Sequence, residues 1–177
     1  MHIREGARSD LESVASIHAA SWRDSYRGIM EDGFLDGPVV EDRLDAWRRR
    51  LDAPPNPAVL LIAEEDADVL GFVYVCPDDD SDRLLLDNLH VSAASRGRGI
   101  GLALMQQMGR ALRNLGHTRV RLLVLEGNDG ACRFYDRLGG QRQQIVHKGL
   151  RGLGPFASIP FTWDDFPGVM ADAVGTP

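Results

Sequence analysis

The sequence holds a single lysine, Lys148, among 177 residues. A P-loop of the form G-x-x-x-x-G-K-[ST] needs a lysine directly behind its glycines, so that nucleotide site is excluded. Cysteine is nearly as scarce. Cys76 and Cys132 alone provide neither a disulfide framework nor a metal-ligand spacing. Both are therefore expected as free thiols in a cytoplasmic protein, and no metal is expected. Long apolar runs are missing: none approaches the ~18 residues needed to span a bilayer, and the opening "MHIREGARSD" lacks a signal core. No membrane association is expected. Positive charge is also in deficit, with 20 Lys and Arg against 26 Asp and Glu and a net charge of −6. A general nucleic-acid surface is excluded, and any anionic ligand must be held by a local basic feature. The overall charge weakly favours cationic small-molecule partners.

What is present suits one ordinary globular domain, with 44% apolar and 26% charged residues. "HIREGA" reads as a first strand. Ser9 or Asp10 can cap a helix from about Leu11 to Arg23, with Leu11, Val14, Ala15, His18 and Trp22 on one face. "RGIMEDGFLDGP" reads as irregular, and "VEDRLDAWRRRL" as a polar helix stopped by "APPNP". "AVLLIAEED" and "DVLGFVYVCP" form a hairpin around an acidic turn, and "RLLLDNLHV" is a third strand. Leu104, Met105, Met108, Leu112 and Leu115 make a helical stripe ended by Gly116. "TRVRLLVLE" is a strand. Asn128 or Asp129 starts a short helix, with Ala131, Phe134, Tyr135 and Leu138 as its apolar positions. "QRQQIVHKG" and "PFASIPFTW" are the last strands, and the chain after Phe166 is expected to fray. The order is that of a mixed α/β sheet in one domain.

The segment "SRGRGIGLALMQQMGRAL" lies between a strand and an amphipathic helix. The first amides of a helix lack internal acceptors and carry the positive end of its dipole. Gly97, Gly99 and Gly101 have no Cβ to keep a phosphate from those amides, while Arg96 and Arg98 add charge. A Rossmann turn would need G-x-G-x-x-G after the first strand, but from Gly99 that spacing places Leu104 at the third glycine. An anion site of another kind is indicated.

The stretch "LDNLHVSAASRGRGIGLALMQQM" resembles the acetyl-coenzyme A motif of the GNAT superfamily of N-acetyltransferases, whose R/Q-x-x-G-x-G/A signature is met by Arg96, Gly99 and Gly101. "LLVLEGNDGACRFYDRLGG" is similar to the second motif, N-x-x-A-x-x-F-Y-x-x-x-G, and "ASWRDSYRGIM" to the substrate-side helices of many bacterial members. The resemblance covers about residues 2 to 163. It implies an α/β fold in residues 1–166: a mixed, mostly antiparallel sheet of about six to seven strands, flanked by helices and splayed at a cofactor cleft. Residues 167–177 are left as a flexible tail.

The same resemblance implies roles. Leu89 and Val91 would offer backbone groups to the thioester and pantetheine, as in strand addition. The amides of Arg98, Gly99, Ile100 and Gly101, with Gly97 and Arg96 beside them, would hold the diphosphate. Asn128 matches a family asparagine that contacts the pantetheine arm, though the position equally suits a helix cap. Tyr135 matches the tyrosine near the sulfur, where a phenol could protonate the departing thiolate; it equally suits core packing. Asp87, His90 and Glu126 are candidate bases for the amine, with Asp87 foremost, while His18 reads as a buried or rim histidine. Trp22 and Tyr26 would wall the acceptor pocket. One departure is visible: relatives read L-G-F where this chain has Leu138-Gly139-Gly140, which removes an apolar anchor.

The expected activity is transfer of an acetyl group from acetyl-CoA to a primary amine of a small molecule or peptide, by direct attack in a ternary complex. Another acyl donor, or a non-catalytic acyl-CoA sensor, are the alternatives. The resemblance leaves a homodimer open.

Overall fold

Helices cover both faces of a central sheet in the computed structural model, which describes residues 1–150 and 153–173. Among these residues eight strands make one sheet in the order β1-β2-β3-β4-β5-β8-β6, with β7 also pairing β8. They are β1 (His2–Glu5), β2 (Val59–Glu65), β3 (Asp68–Pro77), β4 (Leu84–Val91), β5 (Val120–Leu125), β6 (Gln141–Arg142), β7 (Val146–Leu150) and β8 (Leu153–Trp163). Six helices accompany them: α1 (Leu11–Ser25), α2 (Asp32–Asp36), α3 (Val39–Asp52), α4 (Ile100–Asn114), α5 (Asp129–Arg137) and α6 (Phe166–Asp172). All pairings are antiparallel except β4 with β5, which are joined by the α4 crossover.

β2 and β3 read as unbroken apolar runs because both their faces are covered. Leu61, Ala63, Val73 and Val75 pack toward α4 residues such as Leu104 and Met108. Leu60, Ile62, Phe72 and Tyr74 pack on the other face with α1 and with Trp47 of α3.

Four sequence expectations change. "RGIMEDGFLDGP" contains α2, with Leu35 fully buried. Leu115 falls beyond the end of α4 and is exposed, so it leaves the apolar stripe. Asp10 stands at the N-cap position of α1, but its carboxylate accepts from Arg4 and from the Ala7 amide instead of capping. Finally, the supposed tail forms α6 over residues 166–172. Asp165 caps it by accepting from the Gly168 amide at 3.0 Å, and Phe166, Pro167 and Met170 are buried, with Met170 closing on Gly109 of α4. The rest of that tail, residues 174–177, lies outside the described residues.

The missing anchor at Gly140 also has a reason. A Cβ there would sit 2.6 Å from the Trp163 ring and 2.9 Å from Phe161. Trp163, which donates from Nε1 to the Leu138 carbonyl at 2.8 Å, already fills the space.

Candidate active site

β4 and β5 share only two residue pairs, Leu84 with Val120 and Leu85 with Arg121, and then diverge. A bulge contributes to the divergence. Tyr74 pairs with Asn88 and Val75 with Leu86, so Asp87 is the extra residue, with no partner on β3. Bulges bend a strand and re-aim a side chain. Beyond Leu85 the edge of β4 facing β5 has no strand partner among the described residues, so its backbone groups face the gap.

The gap widens into a cavity of about 440 Å³ walled by the diverging strands, by α1 and by α3. A second cavity of about 550 Å³ lies over the start of α4, against Gly97, Gly99, Ile100 and Gly101. Val91 and Arg96 line both cavities, so the two lie side by side.

The glycines at the second cavity are required by backbone geometry as well as by space. Gly97 and Gly99 have φ of +78° and +76°, and a Cβ on either would meet no atom within 4 Å. Both approach paths are open on the cavity side of a helix start. At Gly101 a Cβ would touch the Phe134 ring at 3.5 Å. The leading amides of α4 lack intrahelical acceptors and can take an anion. Arg96 reaches Asp24 at 3.0 Å. The Arg98 guanidinium departs from expectation: it turns to Glu65 at 2.7 Å and lines neither cavity, leaving only its backbone for an anion.

Asp87, Leu89, Asn128, Tyr135, Trp22 and Tyr26 all line the first cavity. Asn128 fills its capping role, its Oδ1 accepting from the Ala131 amide at 3.1 Å. That bond does not use its Nδ2 hydrogens. Tyr135 is 8% exposed and packs against Phe134, Phe161 and Trp163, so it belongs to the core and the cavity together. Burial, and then the neighbouring Tyr26 and Cys132, push its hydroxyl well above the ordinary phenol range. Burial and the charge of Asp87 push Tyr26 up to about 12.

The candidate bases separate. Glu126 is exposed and lines neither cavity. Asp87 accepts from Arg50 and, at 2.9 Å, from Asn88, both on Oδ2. His90 lines the cavity, bonds Ser21 through Nδ1 at 2.9 Å and stacks on His18 at 4.5 Å. Burial, then the charges of Arg43, Arg96 and Arg50, lower its pKa to about 3. His18 is buried, as expected, and accepts from Trp47 Nε1 at 3.0 Å.

Sequence reading missed the arginines. Arg43 and Arg50 of α3 both line the cavity, the first only 1% exposed. The signal was the spacing Arg43, Trp47, Arg50, which puts all three on one face of the helix. Neither thiol resembles a nucleophile. Burial pushes Cys76 up to about 11 and raises Cys132 as well.

A profile of the acetyltransferase (GNAT) family matches residues 14–140. The chain belongs to the GNAT family. It is therefore an acyl-CoA-dependent acetyltransferase by family. A probable N-acetyltransferase of Mycobacterium tuberculosis is 28% identical over 99% of this chain and 91% of its own length. Two solved structures share the GNAT fold. A GCN5-related N-acetyltransferase from Rhodopseudomonas palustris superposes with a TM-score of 0.72 at 19% identity, covering 91% of this chain and 93% of that one. The PaiA N-acetyltransferase of Thermoplasma acidophilum, solved in complex with coenzyme A, gives 0.67 at 20% identity, covering 90% and 96%. The GNAT sheet, splayed between its fourth and fifth strands, is thus the frame that carries the two adjoining cavities.

Proposed function

We propose that this GNAT chain moves the acetyl group of acetyl-CoA to a primary amine by direct attack within a ternary complex. The observation that carries the reading is that the two cavities adjoin at Val91 and Arg96, with Tyr135 on the wall of one and the α4 amides under the other. The diphosphate rests on the amides from Arg98 to Gly101, with Gly97 and Arg96 beside it. The pantetheine runs along the open edge of β4 past Leu89 and Val91, with Asn128 opposite. This brings the thioester into the first cavity, and the acceptor lies against the wall that Trp22 and Tyr26 form.

The amine nitrogen attacks the thioester carbonyl carbon, forming the C–N bond. The C–S bond then breaks, and Tyr135 donates its proton to the departing sulfur. Asp87 takes the proton that the amine loses, and solvent restores both groups. A phenol is protonated at neutral pH, as a donor must be, and the burial of Tyr135 keeps it in that form. The attacking nitrogen is itself the nucleophile, so no acyl-cysteine is needed.

The test is a panel of primary amines incubated with acetyl-, propionyl- and succinyl-CoA, with free thiol release as the readout. Amine-dependent release with acetyl-CoA supports the reading. Binding of acetyl-CoA with no release for any amine would make the chain a sensor.

A further inference from the structure

The wall of the first cavity has the opposite sign to the chain. Against a net charge of −6, the cavity is lined, among the described residues, by Arg43, Arg50, Arg96 and Lys148 and by a single carboxylate, Asp87. The partners of Arg43, Arg96 and Lys148 are Asp42, Asp24 and Asp80, which lie outside the lining.

Two of these cations are held in place. Arg43 and Arg50 are two helical turns apart on one face of α3. The Arg43 guanidinium lies 4.0 Å from the centre of the Trp22 ring; that of Arg50 lies 4.9 Å from Trp47 and 5.2 Å from Tyr74. Aromatic faces fix a guanidinium without consuming its in-plane hydrogens. Arg50 Nη1 is buried and has no partner among the described residues. A buried donor left unpaired is costly, and a planar oxyanion matches its geometry. Beside it, Asp87 is bonded twice on Oδ2 and through neither bond on Oδ1.

We infer that the acceptor is a small zwitterion, an amine carrying a carboxylate or similar oxyanion, of the free amino acid kind. The inference rests on the acetyl-transfer reading. The oxyanion binds Arg43 and Arg50, and the amine faces Asp87. The Arg50–Asp87 pair holds opposite charges side by side, which is the complement of a zwitterion. A diamine or aminoglycoside would instead press its further ammonium groups against Arg43 and Arg50, so the site selects against them.

The test uses matched trios: an L-amino acid, its methyl ester and the corresponding decarboxylated amine, for alanine, leucine, methionine and phenylalanine. Aminoalkylphosphonate analogues distinguish carboxylate from other oxyanions. The amino acid of at least one trio is expected to exceed both relatives by tenfold or more in kcat/KM. Arg50→Gln should collapse that ratio toward one and Arg50→Lys should keep part of it, with acetyl-CoA affinity unchanged by calorimetry in both. Esters or plain amines acetylated as fast as the amino acids would overturn the inference. Where no trio turns over, calorimetry of the coenzyme A-loaded protein decides. N-acetyl amino acids binding tenfold tighter than N-acetyl amines support the oxyanion site, and equal binding overturns it. Failure to bind acetyl-CoA at all sinks the transfer reading instead.

Discussion

A phenol donates a proton only while it still holds one, and burial makes Tyr135 hold its proton more firmly. The same burial gives the ring three aromatic neighbours, so removal of the whole side chain would confuse packing with chemistry. Tyr135→Phe keeps the ring. General acid catalysis contributes roughly 10²–10⁴-fold. A fall in kcat of about that size is expected, with acetyl-CoA affinity nearly intact, because the lost interaction forms mainly in the transition state. A wild-type kcat under conditions where acyl transfer limits the rate would leave Tyr135 as packing. At this scale the sequence was informative where a motif fixes spacing, as for Tyr135 and Asn128. It was uninformative for Arg43 and Arg50. A charged residue on a polar helix ordinarily faces water, and only the contact with Trp22, Trp47 and Tyr74 turns these two inward.

Two elements shape the cleft, and each can be disturbed alone. The first is the loop into α4. Gly99→Val forces a branched residue to φ +76°, which costs roughly 1–2 kcal/mol, but its Cβ meets no protein atom. The protein should therefore fold with modest loss, while acetyl-CoA affinity falls far more than stability does, because the side chain occupies the proposed diphosphate space. Gly101→Val probes the same space from a helical position, against the Phe134 ring. Calorimetry giving unchanged affinity for both variants would dismiss the anion site. The second element is α6, which braces α4 from behind. Met170 is fully buried and contacts Gly109, so Met170→Ala should cost about 2–5 kcal/mol in urea unfolding. A loss under 0.5 kcal/mol would show that α6 is dispensable. The periodicity of α4 was legible in the sequence, and α6 was not. Seven residues containing a proline and a glycine give no helical stripe, and the cap at Asp165 is recognised only once Met170 is seen against α4.

Across the whole molecule, the order of elements was legible because apolar runs, glycines and turn signals agree with one another, whereas the splay of the sheet came only with the resemblance to the GNAT motifs. The charge distribution was not. A net charge of −6 suggests cationic partners, yet the folded chain gathers arginines around one cavity, and their field acts on His90. His90 is faced by His18 and Ser21 from α1, by Phe72 from β3, by Arg43 and Arg50 from α3, and by Arg96 from the loop before α4. Burial and the three arginines lower its pKa from 6.5 to about 3, so the fold favours the neutral ring. A depressed pKa means that the unfolded chain binds the proton more readily. The contribution to stability is therefore complete above pH 6.5 and is lost progressively as pH falls toward 3. One proton taken up on unfolding corresponds to a slope of about 1.4 kcal/mol per pH unit. Urea unfolding of the wild type between pH 7.5 and 4.5 should lose stability on that slope below 6.5, and His90→Gln should be flatter by close to one proton. The upper part of this window lies above the range where carboxylates titrate, so the difference between the two curves belongs to the histidine. Parallel curves would show that His90 keeps an ordinary pKa, and that the arginine charges are balanced from the solvent side before they reach the ring.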